Sequence, residues 1–76
     1  MKYTFITSVF VPDIEPQKRL KLIFKMFMEL QSGEWMELSV DHDPKPLYYQ
    51  FLMDKEGEFN WQYIEKGPEI WRVAIG

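Results

Sequence analysis

The run Asp41-His42-Asp43-Pro44-Lys45 places two carboxylates, the chain's one histidine and an ammonium group within five residues. An imidazole flanked by carboxylates is an elementary set for general-base chemistry. It could also begin a metal site, but stable sites recruit several nitrogen or sulfur ligands, and one imidazole with oxygen donors is a poor set. No metal site, no cofactor and no catalytic residue is therefore assigned. Arg19 adds a planar guanidinium that can clamp a carboxylate or phosphate through two donors, or pair with Glu15 one turn back. The candidate ligand-binding residues are Arg19, His42, Asp43, Lys45 and Glu69. Asp43 suits helix capping better than acid catalysis, because Pro44 follows it. His42 can serve structure instead, fixing a strand-to-helix turn through Asp41 or a loop carbonyl.

These groups need elements to position them. Residues 3–10 are rich in aromatic and β-branched types and stop at Val11-Pro12-Asp13, which predicts a first strand and a turn. Glu15 or Asp13 can cap a following helix, with Pro16 in its first turn. Leu20, Ile23, Phe24, Phe27 and Leu30 recur at three and four residues, an amphipathic helix of about four turns. Gly33 sits where a left-handed C-cap would end it. Residues 35–41 alternate, with Met36, Leu38 and Val40 on one face, a half-buried second strand.

A shorter helix is expected over residues 44–53, with Asp43 as N-cap. Residues 59–65 carry the ladder Phe59, Trp61, Tyr63, and residues 70–75 carry Trp71, Val73 and Ile75. The glycine-containing loop between them reads as a hairpin. The order is β-α-β-α-β-β, an α+β two-layer sandwich: a four-stranded mixed sheet with two helices on one face. If a right-handed crossover joins strands one and two, they are parallel and their carboxyl ends share an edge. Loops 11–17 and 41–45 are then neighbours, and a parallel third strand brings loop 65–69 to the same edge. Any ligand would be expected there.

Seventy-six residues leave room for a single domain, 1–76. Without a cysteine to staple it, the chain relies on three Trp, four Tyr, six Phe and five Met to fill its core. The missing cysteines fit a cytoplasmic setting. The apolar run over residues 5–11 is too short to cross a bilayer and no small-residue cleavage site follows it, so no membrane partner is expected. A net charge of −3 repels a phosphate backbone, and Lys18, Arg19, Lys21 and Lys25 form a solvated helix face. No nucleic-acid partner is expected. The aromatic ladder suits core packing better than a binding platform.

Three segments carry a resemblance: Asp41-His42-Asp43-Pro44-Lys45-Pro46-Leu47-Tyr48-Tyr49-Gln50, Phe59-Asn60-Trp61-Gln62-Tyr63 and Gly67-Pro68-Glu69-Ile70-Trp71-Arg72-Val73. Together with Arg19 before Ile23-Phe24, they resemble the bacterial and archaeal domain-of-unknown-function family numbered 2249. That family is similar in fold to the TusA/SirA sulfur carriers. The resemblance implies strands one to three parallel and strand four antiparallel. It also implies kinship with proteins that carry persulfide on a cysteine, chemistry this cysteine-free chain lacks the residue for. Where many relatives read acidic-x-Arg at the end of strand one, this chain has Thr7-Ser8-Val9. Where they place a histidine after the arginine, it has Leu20.

The resulting expectation is a non-catalytic binding or accessory module for a small anion or a protein partner. One alternative is an enzyme with His42 as general base and Arg19 as anion clamp. Another is a self-associating module, a weak homodimer through the Met-rich face of helix one, where Leu22, Met26 and Met28 widen the apolar stripe.

Overall fold

Alternation of apolar and polar residues produces the central strand. In the computed structural model, which describes residues 3–76, β2 spans Trp35–Val40; Met1 and Lys2 lie outside the described residues. Met36, Leu38 and Val40 are buried on one face of β2, while Trp35, Glu37 and Ser39 stay half-exposed. Around it stand β1 (Phe5–Phe10), α1 (Pro16–Met28), α2 (Lys45–Asp54), β3 (Trp61–Lys66) and β4 (Trp71–Ile75). The strand order is β1-β2-β4-β3. β1 runs parallel to β2, and β4 is antiparallel to both β2 and β3. β1, β2 and β3 therefore point the same way. The fold is the α+β mixed sheet that the element order predicts.

Registers show where the core lies. Val9, Leu38, Val73 and Tyr63 stand side by side across the four strands. Ile23 from α1 and Phe51 from α2 join this face in one buried cluster, so both helices cover the same side of the sheet. Phe51 is fully buried; its ring stacks on Phe24 at 4.5 Å and meets Phe27 edge-on at 5.2 Å. Burying such a ring contributes about 2–3 kcal/mol. The aromatic ladder belongs to this layer: Trp61 packs against Phe51 at 5.9 Å and Tyr63 against Trp71 at 6.3 Å.

Several boundaries differ from expectation. Strand one begins at Phe5, and its ladder to β2 is interrupted between Phe5 and Thr7. The turn after it is a short 3-10 helix, Val11–Asp13, with Val11 buried in the core. α1 ends at Met28, earlier than the apolar repeat implies. Gly33 does adopt a left-handed φ of 84°, but in the turn into β2, where Glu34 N donates to Gln31 O at 3.0 Å. It is no helix cap. Leu20, expected in the core stripe, is 41% exposed, because α1 presents that side to a cleft instead of to the sheet.

The start of α2 also differs. Its N-cap is Pro44, no side chain caps it, and the helix begins at Lys45. Two prolines compete for the first turn; Pro46 takes the second helical position, where no N–H partner is lost. Asp43 is thereby left outside the helix, one residue too early to cap it.

Candidate functional site

Parallel β1 and β2 end on one edge, which sets the loop after Phe10 beside the loop after Val40. The hairpin between β3 and β4 opens on that edge too, since Trp71 pairs with both Val40 and Lys66. A cleft of about 280 Å³ opens here between the two helix starts. Its floor is apolar: Val11, Ile23, Val40 and Pro44 are all buried. Leu20 and Leu47 form walls, with Pro16 and Pro46 above them. Arg19, His42 and Gln50 are its polar groups.

Arg19 is held through its Nε. Nε donates to the Ile14 carbonyl at 2.8 Å, tying the first turn of α1 to the loop it leaves. The expected pairing with Glu15 does not form; Glu15 pairs with Lys18 at 3.0 Å. The two terminal nitrogens of Arg19 have no partner among the described residues. A guanidinium fixed through Nε with free terminal donors is preorganised for an anion.

His42 lines the same cleft, and its Nδ1 lies 2.8 Å from Asp41 Oδ1. Both side chains are largely exposed, at 63% and 64%. The hydrogen bond from His42 holds the Asp41 carboxyl below its ordinary value, and the Arg19 charge adds a smaller pull the same way. Asp41 thus stays ionised and keeps one nitrogen of the ring engaged.

The other three candidates point elsewhere. Asp43 Oδ1 accepts the Tyr63 hydroxyl at 3.1 Å, linking the β2–α2 junction to β3. Lys45 lines a separate hollow with Tyr48, Tyr49, Trp61 and Tyr63 on the far side of α2. Glu69 is exposed at the hairpin tip, beside the turn closed by Gly67 N and Ile70 O at 2.9 Å. For Glu69 strand order explains the separation, because β4 lies between β2 and β3 and carries the hairpin away from α1. The cleft therefore joins Arg19 and His42 only.

Residues not anticipated at the site are Leu20, Leu47 and Gln50. A signal existed for the last two: Leu47 and Gln50 lie three apart, one face of a helix that starts beside His42. Among the described residues no group of three His, Cys, Asp or Glu side chains could hold a metal ion. Among the described residues no helix is long and apolar enough to cross a membrane. On α1, Leu22 and Met28 are exposed, but Met26 packs on the core, which narrows the face expected for self-association.

Residues 11–76 match the family model described as Uncharacterized conserved protein (DUF2249). No curated protein and no solved structure matches the chain.

Proposed function

We propose that the chain, which belongs to the DUF2249 family of uncharacterized conserved proteins, is a cytoplasmic, non-catalytic module that binds a small anion in the cleft beside Arg19. One observation carries this reading. Arg19 spends Nε on the Ile14 carbonyl, while its terminal nitrogens have no partner among the described residues at the rim of a cleft with a buried apolar floor. A held cation with free donors gives up little conformational entropy when an anion arrives. The cysteine-free composition supports the cytoplasmic setting.

Amide NMR during titration with small carboxylates and inorganic phosphate tests the proposal. Shifts concentrated at Arg19, His42 and Gln50 that vanish in Arg19→Leu are expected. A panel that leaves these amides unmoved overturns it.

A second reading has the 2.8 Å contact between His42 and Asp41 in its favour. There His42 acts as a general base on a ligand that Arg19 holds, with Asp41 fixing the ring. Its mark is turnover of a bound anion that His42→Asn abolishes while affinity is retained.

A further inference from the structure

We infer that the ligand of this cleft is a monocarboxylate with a short apolar body, and not a phosphate or a dicarboxylate; this rests on the anion-binding reading above. The donors available set the head group. With Nε committed to Ile14, Arg19 offers its two terminal nitrogens, a pair that matches the two oxygens of one carboxylate. Phosphate sites usually add backbone amides at a helix start. Here Pro16 opens α1 and Pro44 and Pro46 flank the start of α2, so three of the amides such a site would draw on are missing.

Charge excludes a second anionic group. Arg19 is the one permanent cation among the described residues lining the cleft, since Lys45 lies on the far side of α2. Asp41, held ionised, stands next to His42 at the rim. A dicarboxylate would bring a second charge that no further permanent cation of the cleft lining meets.

The walls set the body. Val11, Ile23 and Val40 make a dry floor, and Leu20 keeps 41% of its surface exposed beside it. Covering that leucine removes apolar area from water, which a hydrocarbon tail does and a polar ligand does not. A volume near 280 Å³ lies at the small end of ligand pockets, so the tail is short.

Titration of the full chain with hexanoate, adipate, inorganic phosphate and hexanamide tests the assignment, by calorimetry and amide NMR. Hexanoate is expected to bind roughly tenfold tighter than each of the others and to shift Leu20 and Leu47. Arg19→Lys, which keeps the charge but loses the fork, should weaken hexanoate; so should Leu20→Asn, on an exposed side where folding is undisturbed. Phosphate or adipate binding at the cleft as tightly as hexanoate overturns the inference and leaves the anion-binding reading standing. Hexanamide binding equally well, or no probe moving the cleft amides, overturns both.

Discussion

The Tyr63 hydroxyl donates to Asp43 Oδ1 at 3.1 Å, joining residues twenty apart in sequence across the α2 start. Asp43 is thus a strut between β3 and the junction after β2, in place of the helix cap its position before Pro44 suggests. Asp43→Ala should still destabilise the chain, but through Tyr63. In a double-mutant cycle with Tyr63→Phe, the two losses should overlap by about 0.5–1.5 kcal/mol in urea unfolding. Strict additivity would show that the strut contributes nothing.

The same bond has a consequence at high pH. Burial raises the Tyr63 phenol above its ordinary value of 10.0, and the Asp43 hydrogen bond and charge raise it further. A raised folded value means stability that is full below pH 10 and lost as pH climbs through the folded value. Tyrosinate absorbance should show the Tyr63 phenol titrating late. Asp43→Ala should bring that phase down, and Tyr63→Phe should remove it.

Phe51 is fully buried where both helices and β3 meet, stacked on Phe24 and edge-on to Phe27 and Trp61. Phe51→Ala leaves a cavity that those rings cannot close. It should cost about 3–5 kcal/mol, a large share of the stability of a chain this size. Phe51→Leu should cost clearly less, and the denaturation midpoints of the two variants check the order.

Gly33 and Gly67 both adopt left-handed φ angles, 84° and 58°, yet they face different surroundings. A Cβ at Gly33 meets open space, whereas at Gly67 it would sit 2.8 Å from the Trp71 indole. Gly33→Ala should cost roughly 1 kcal/mol, from backbone strain alone. Gly67→Ala should cost more, because Trp71 is locked between Tyr63 and the sheet and has little room to give. Equal melting temperatures for the two variants would refute the close approach.

The strands were legible wherever local pattern decides. Met36, Leu38 and Val40 alternate into the core as read, and Trp71, Val73 and Ile75 pair against them. Legibility failed where a partner is distant or two local signals compete. Asp43 looks like a cap because the sequence does not display Tyr63 beside it, and Pro44 and Pro46 each offer a start for α2. Of the five candidate residues, Arg19 and His42 meet because parallel strands bring their loops together. Glu69 does not join them, since that depended on the position of β4 between β2 and β3, and Lys45 lines the hollow beside Tyr48 and Trp61 instead. Periodicity does not encode strand order. Leu20 kept its helical phase, but the cleft took the place of the sheet on its side.

The contact between Asp41 and His42 separates a structural role from a chemical one. The hydrogen bond from His42 depresses the Asp41 carboxyl below 3.8. A depressed carboxylate contributes stability that is present above its unfolded value and is lost as pH falls through the folded value. Carboxyl NMR should therefore place the Asp41 midpoint below that of an unperturbed aspartate. His42→Gln should move it back up, with Arg19→Leu producing a smaller shift in the same direction, since the Arg19 charge pulls less. If His42 only fixes the turn after β2, His42→Gln should also lower the melting temperature at neutral pH, and ligand affinity should follow that loss of order. If the dyad does chemistry, stability should hold while turnover disappears. An Asp41 midpoint that His42→Gln leaves unmoved would mean the 2.8 Å contact does not persist in solution, and neither role would then belong to the pair.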